Sequence, residues 1–181
     1  MMKINFEHFT VRECSPENIS EILQIQDETF ETLSCPDLLR RNTPEMLSEC
    51  LKYPHQTIGA WYQDELAAFA MRYTPEGNAE EDLSLLLQGV NLSHLKPANF
   101  KLCIVRPNYK GNSLQFHLGA LLEQYAKNAG IGLMCATVHP ENTYSINNLL
   151  KLGYSYNRTL EKYGLERNLY FKFISFFQQP K

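Results

Sequence analysis

One stretch of the chain, residues 105–115 (VRPNYKGNSLQ), holds residue types whose order suits the binding of an anion. Lys110 stands next to Gly111, and Ser113 opens a segment of helical periodicity. A helix start exposes unpaired N–H groups and about half a positive charge, so a glycine-containing loop at that point can hold a phosphate group. Lys110 would add a full charge. The same residues also fit a polar turn in which Ser113 caps the helix, and local chemistry leaves both interpretations open.

A second candidate for chemistry is the sequence 136–142 (ATVHPEN), which contains His139 and Glu141. An unperturbed histidine has a pKa of about 6.5, so His139 suits a general base at neutral pH. The structural interpretations are that His139 only shapes the exit of a strand before Pro140, and that Glu141 only favours the start of the next helix.

The elements that must position these residues alternate between strands and helices. Predicted strands are the region of Phe9 and Val11, then 57–62, 66–73, 100–105, 133–138, 154–160 and 167–174. Predicted helices begin at Ser15-Pro16 and Thr43-Pro44, the latter ended by Pro54, and two more span 113–128 and 142–153. Segment 77–98 has no firm assignment and fits a short helix or a lid. The strand, helix and strand of 100–138 predict a parallel, right-handed crossover, and hence a mixed α/β sheet.

Residues 105–115 resemble the acetyl-CoA-binding motif of the GNAT superfamily of N-acetyltransferases. Val105-Arg106-Pro107 is similar to the lead-in of that motif, Lys110 takes its basic first place, and Gly111 its first glycine. Ser113 stands where the family has glycine, and Gln115 where it has a small residue. The cradle of amides survives if the backbone of Ser113 suits a residue with a Cβ atom.

Residues 142–154 carry the second half of the resemblance. Asn142, Lys151 and Gly153 have the spacing of the family's helix motif, and the preceding Thr137-Val138-His139-Pro140 is similar to the strand end of some members. Two motifs in the right order are more specific than either alone. The resemblance implies a single domain over 1–181, with a mainly antiparallel sheet, a central parallel pair of splayed strands, and about four flanking helices.

The resemblance also implies a binding site for acetyl-CoA as cosubstrate. The pantetheine arm would lie between the splayed strands, in contact with the backbone of Ile104 and Val105 and with the side chain of Asn142. The pyrophosphate would lie on the amides of Lys110, Gly111, Asn112, Ser113, Leu114 and Gln115.

The implied reaction is direct acetyl transfer to a primary amine, without a covalent enzyme intermediate, with a backbone amide near Val105 polarising the thioester carbonyl. The family's usual base position holds Lys101, and its usual tyrosine acid position holds Leu149. His139 is therefore the candidate base, with Glu141 and Tyr144 as further candidates. Loss of both usual groups also fits an alternative, a non-catalytic module that binds acyl-CoA or senses a ligand, and a third option is a protein-interaction domain.

The composition of the chain argues against some classes of binding partner. The chain has 181 residues, 17 Lys+Arg and 20 Asp+Glu, giving a net charge of −3. Since it has no dense basic run and no long apolar run, we expect neither a nucleic-acid partner nor a membrane span. Five scattered cysteines predict reduced thiols in the cytoplasm, and we expect no metal site. The acceptor is expected to be a small-molecule or peptide amine, and the apolar tail 169–177 offers a contact for a homodimer.

Overall fold

Seven strands form one mixed sheet in the computed structural model, which describes residues 3–92 and 94–174. The strands are β1 (Thr10–Glu13), β2 (Gln56–Tyr62), β3 (Glu65–Tyr73), β4 (Pro97–Val105), β5 (Leu133–Val138), β6 (Ser155–Lys162) and β7 (Leu165–Phe173). Their order across the sheet is β1-β2-β3-β4-β5-β7-β6. Only β4 and β5 pair in parallel, and every other neighbouring pair is antiparallel. The predicted fold class is confirmed.

Helices cover both faces of this sheet. They are α1 (Ile19–Thr32), α2 (Pro44–Glu49), α3 (Leu114–Asn128) and α4 (Thr143–Lys151). On one side, here called the helix face, Leu118 of α3 and Leu149 of α4 pack with Phe100 and Ala136 of the sheet.

The opposite side, here called the loop face, is covered by α1, α2 and the segment 75–96. Ile22 and Leu47 pack there against Leu102. Leu83, from a short 3-10 helix at Leu83–Leu86, packs against Leu169 of β7. The segment without a firm assignment therefore contains a short helix, and it shields β5 and β7 from solvent.

Three element boundaries differ from the sequence-based expectation by three residues or more. A 3-10 turn at Pro16–Asn18 follows Ser15, so α1 itself begins at Ile19. Helix α2 ends at Glu49, well before Pro54, because hydrogen-bonded turns already occupy 50–55. Strand β4 begins at Pro97 and is three residues longer at its start than predicted.

The predicted apolar contact at 169–177 is only partly open to description. Leu169 and Tyr170 are buried inside this chain, so they offer no surface to a second copy, whereas Phe173 is about half exposed. Residues 175–177 lie outside the described residues. Across the described ranges, no helix has the length and apolar character needed to cross a membrane.

Candidate active site

The sheet opens between β4 and β5. These strands pair only over Pro97–Asn99 and Leu133–Cys135, and each continues beyond that point without pairing to the other. Strand β4 also contains a bulge at Lys101, because Met71 faces Leu102 while Arg72 faces Phe100. A bulge bends a strand and increases its local twist. The carboxyl ends of β4 and β5 therefore diverge and leave a cleft.

The lining of the cleft comes from both faces of the sheet. The helix face contributes Gln115, Ser145 and Leu149, and the N-terminus of α4 contributes Asn142. The remaining lining residues come from the strands and from the loop face: Leu38, Leu39, Arg40, Asn42, Leu83, Asn99, Phe100, Lys101, Leu102, Cys103, Ala136, Thr137, Val138, Tyr163 and Arg167.

Strand β4 presents backbone groups to this cleft. The N–H of Arg106 donates to Ala67 O of β3 at 2.8 Å. Consecutive amides of a strand point to opposite edges, so the N–H of Val105 points towards β5. Ile104 is nearly fully buried in the loop-face core, and by the same alternation its backbone N–H points towards β3, where it pairs with Phe69. The open edge of β4 therefore offers the backbone of Val105 to a ligand, whereas the expected contact with the backbone of Ile104 does not fit this register.

The loop before α3 has the geometry of an anion cradle. Gly111 has φ 86° and Ser113 has φ 56°, both in the left-handed region. The first helical hydrogen bond runs from His117 N to Ser113 O, so the amides of Leu114 and Gln115 precede it and have no partner within the helix. Ser113 caps nothing with its side chain. It adopts the conformation that glycine would, which keeps the cradle open.

Polar contacts hold this loop in place. Glu65 accepts from the Arg106 guanidinium and from the Tyr109 hydroxyl, each at 2.6 Å. Asn112 Oδ1 accepts from Ile4 N at 2.8 Å, and Asn112 Nδ2 donates to Tyr109 O. The Asn112 side chain therefore supports the loop.

Gln115 and Asn142 connect the helices around the cleft. Gln115 Oε1 accepts from Asn148 of α4 at 3.3 Å, so its side chain links α3 to α4. Asn142 caps α4, as predicted, by accepting from Ser145 N at 3.0 Å. Its Nδ2 donates to Leu38 O at 3.2 Å, which ties the α1–α2 segment across the cleft.

Lys101 and Leu149 stand at the positions where the resemblance would place the base and the acid, and their surroundings differ. Lys101 Nζ lies 2.5 Å from Glu81 Oε2, and both side chains are largely buried. Leu149 is 2% exposed and packs in the helix-face core. His139 does not line the cleft but directly follows Val138, which does. Its Nδ1 accepts from Glu141 N at 3.2 Å. Tyr144 is half exposed and also lies outside the lining.

Sequence reasoning expected the loop near Tyr163 and the segment 77–98 on the acceptor side, but it did not predict the polar cluster that they form on the loop face of the cleft. Tyr163, in the β6–β7 turn, donates to Glu81 Oε2 at 3.2 Å, and the Arg40 guanidinium lies 3.6 Å from the centre of its ring. Burial raises the pKa of Glu81, but Lys101, Arg40 and Tyr163 outweigh it, so the net pKa is lowered. Burial raises the pKa of Tyr163 strongly. The only signal in the sequence was an aromatic residue beside a turn glycine.

Cys103 is the cysteine that lines the cleft, and its surroundings do not favour a nucleophilic thiolate. Desolvation raises the pKa of the Cys103 thiol to about 12. It is therefore protonated at neutral pH, and the thiolate is the reactive form. All five cysteines are unpaired. In the described part of the chain, no group of His, Cys, Asp and Glu is arranged to hold a metal ion.

Comparison with known proteins agrees with this architecture. Solved structures of similar fold include the ribosomal-protein-S18-alanine N-acetyltransferase of Escherichia coli, with 15% identity, a TM-score of 0.69, and 94% of this chain and 97% of that chain covered. Arabidopsis thaliana NAA60 in complex with acetyl-CoA has 14% identity, a TM-score of 0.70, and coverage of 92% and 98%. An acetyltransferase of the GNAT family from Streptococcus pneumoniae has 14% identity, a TM-score of 0.66, and coverage of 92% and 99%.

No curated protein matches this sequence. The model of the acetyltransferase (GNAT) family matches residues 19–154, which include β4, β5 and the cradle before α3. The chain therefore belongs to the GNAT family of acetyltransferases.

Proposed function

We propose that this chain binds acetyl-CoA and transfers the acetyl group directly to a primary amine. The observation that carries the proposal is the combination of a left-handed Ser113 before α3 with an unpaired edge of β4 beside the same cleft. The complex of Arabidopsis NAA60 with acetyl-CoA, which shares this fold, supports the same ligand.

In this proposal each part of acetyl-CoA has its own partners. The pyrophosphate lies on the amides of residues 111–115, because the expected Lys110 N–H already donates to Pro107 O at 3.3 Å, and the Lys110 ammonium and the positive end of α3 balance its charge. The pantetheine arm runs along the open edge of β4 at Val105. Asn142 gives up its bond to Leu38 O to face the arm, while its Oδ1 continues to cap α4.

The chemistry is nucleophilic addition followed by elimination. The neutral amine attacks the thioester carbonyl carbon, a C–N bond forms, and the C–S bond breaks. The amine loses one proton and the departing thiolate gains one. The Val105 N–H, directed towards β5, is the donor placed to stabilise the developing oxyanion, a contribution of about 10²–10³ in rate. A protonated Cys103 supports transfer without a covalent intermediate.

His139 remains the proposed proton acceptor, acting through water. Residues of β5 alternate between the faces, with Cys135 in the loop-face core, so residue 139 falls on that face as well. The Tyr163–Glu81 pair is a poor substitute, because the Tyr163 pKa is raised and the Glu81 pKa is lowered. If Tyr163 accepted the proton of the amine and passed its own hydroxyl proton to Glu81, that proton would end on a carboxylate whose lowered pKa makes it a weak base.

One observation favours a second candidate function, a module that binds acyl-CoA without turnover. Both positions that normally carry catalytic groups hold other residues, Lys101 in an ion pair and Leu149 in the core. Binding of the cosubstrate is common to both functions, so turnover separates them. We also propose a cytoplasmic location, which the unpaired cysteines support.

Two measurements test the proposal. Acetyl-CoA at 100 times its dissociation constant should add about 2.7 kcal/mol of stability, or roughly 5–11 °C in Tm for a chain of this size. The adenosine diphosphate fragment alone should give a smaller shift. Release of free thiol from acetyl-CoA is then measured with a panel of amines. A shift without thiol release selects the binding module, and no shift refutes both functions.

A further inference from the structure

The charged side chains that line the cleft all have the same sign. They are Arg40, Lys101 and Arg167, and no carboxylate lines the cleft within the described ranges. Lys101 is neutralised by Glu81 at 2.5 Å. Arg40 stacks on the Tyr163 ring and interacts electrostatically with Glu81, but no carboxylate of the described residues lies within ion-pair distance of its guanidinium. The cleft therefore keeps two cationic groups for a ligand.

Arg167 is the more unusual of the two. It is only 4% exposed, and its Nη2 is buried without a hydrogen-bond partner. No carboxylate of the described residues lies within ion-pair distance of its guanidinium. Asp37, the acidic group that interacts with it electrostatically, is exposed to solvent. A buried charge without a partner is strongly unfavourable, which is the situation expected where a ligand completes the site.

The position of Arg167 assigns that ligand to the acceptor side of the cleft. Side chains alternate along β7, and Leu169 packs on the loop face while Tyr170 packs on the helix face. Arg167 shares the side of Leu169. The cradle for the pyrophosphate lies before α3, on the other face of the sheet, so the phosphates of acetyl-CoA do not account for Arg167.

We propose that the amine acceptor is a free amino acid whose carboxylate pairs with Arg167. This inference rests on the proposed acetyltransferase function and names its substrate class. The guanidinium is planar and offers parallel N–H donors, which match the two oxygens of a carboxylate. Arg40 adds a second positive charge at the mouth of the site. The segment that carries Arg40 is fixed by Asn42, which exchanges two hydrogen bonds with Gln26 of α1 at 2.9 and 3.0 Å.

Matched substrates test the proposal with the unaltered protein. Each L-amino acid is compared with its carboxamide, which differs only at the carboxylate, and kcat/KM is measured by thiol release. We expect the acids to exceed the amides by at least about tenfold, since a hydrogen bond to a charged group is lost in the amide. The amides have less basic amines, so a preference for the acids cannot come from easier deprotonation. Equal rates, or a preference for the amides, overturn the proposal.

A comparison with two peptides distinguishes the carboxylate of a free amino acid from that of a peptide side chain. Peptide amides that begin with Ala-Glu and Ala-Gln present the same amine with and without a side-chain carboxylate. A free amino acid as substrate predicts that both peptides react much more slowly than alanine. If the Ala-Glu peptide reacts fastest, the carboxylate comes from a peptide side chain and the assignment to a free amino acid is overturned.

Substitution of Arg167 supplies the second test. Arg167→Gln should raise KM for the preferred acid by about 10- to 100-fold. It should leave the KM for the carboxamide and the dissociation constant of acetyl-CoA unchanged within about twofold. The matched control is Arg72→Gln, because Arg72 is also buried and partly unpartnered but does not line the cleft. It should leave the ratio of acid to amide unchanged. Equal losses on acid and amide in Arg167→Gln would overturn the proposal.

Binding experiments keep this inference distinct from the proposed function. If no amine releases thiol, titration of amino acids and amides into the protein with CoA still reports on the anion site. Binding of the acid alone, lost in Arg167→Gln, supports the site while refuting acetyl transfer. Equal binding of acid and amide overturns the site, and so does absence of binding by both.

Discussion

Replacing Ser113 with glycine tests the backbone geometry of the cradle. Ser113 has φ 56° and ψ 21°, a left-handed conformation that costs an L-residue about 1–2 kcal/mol. Glycine removes that cost but adds about 0.4–1 kcal/mol of backbone entropy to the unfolded chain. The net expectation is a gain of about 0.5–1 kcal/mol in the free energy of unfolding.

That gain corresponds to a rise of about 1–4 °C in Tm for a chain of this length. Thermal unfolding is followed for the original protein and for Ser113→Gly, each with and without acetyl-CoA. Since glycine keeps the N–H groups in place, the acetyl-CoA dissociation constant should stay within about twofold. Ser113→Val should lower both Tm and affinity, because a β-branched residue is disfavoured at positive φ.

The matched control is Asp64→Gly. Asp64 has φ 65° in the exposed β2–β3 turn, far along the chain from the cradle. Asp64→Gly should gain less stability than Ser113→Gly, because aspartate tolerates the left-handed region better than serine does. It should leave the affinity for acetyl-CoA unchanged. If Ser113→Gly lowers Tm, or if Ser113→Val alters neither Tm nor affinity, the cradle does not depend on this conformation.

Two further predictions concern the groups around the cleft. Lys101→Met leaves Glu81 without its cation and should cost about 2 kcal/mol, less than for a fully buried pair. The lowered Glu81 pKa gives stability that is present above the unfolded value and lost as pH falls through the folded value. In the variant, where desolvation raises this pKa, stability should instead recover as pH falls, and parallel pH profiles by chemical denaturation would contradict this account. His139→Gln should lower kcat/KM by about 10², whereas Tyr163→Phe should change it less than threefold, and the reverse order would exclude His139 as base.

The sequence predicted the parts of the site that depend on local chemistry. Helical periodicity and caps located α3 and α4, and Asn142 caps α4 as expected. The order of elements correctly placed the strands on both sides of the cleft. The resemblance implied a cradle on condition that the backbone of Ser113 suits a residue with a Cβ atom, whereas the structure gives Ser113 a φ of 56°, a left-handed conformation that favours glycine.

Residues that meet only through the tertiary structure were not predictable in this way. The first residues of β4, Pro97-Ala98-Asn99, have poor strand propensity, yet they form the only parallel pairing with β5. Tertiary pairing overrides local preference there. Glu81 contacts Lys101 and Tyr163 across 20 and 82 positions of sequence. Taken singly, each of these side chains resembles an ordinary surface charge or an aromatic residue at a strand end.

In our proposal, the two faces of the sheet bind different substrates. On the helix face, backbone amides before α3 suit a phosphate, and they need no particular side chain at Ser113 or Leu114. On the loop face, side chains from distant segments converge, and in our proposal the buried guanidinium of Arg167 selects an acceptor that carries a carboxylate. A change in the first face should therefore alter affinity for acetyl-CoA with every acceptor. A change at Arg167 should alter the choice of acceptor while affinity for acetyl-CoA is retained, and this separation is what the paired substrates and variants measure.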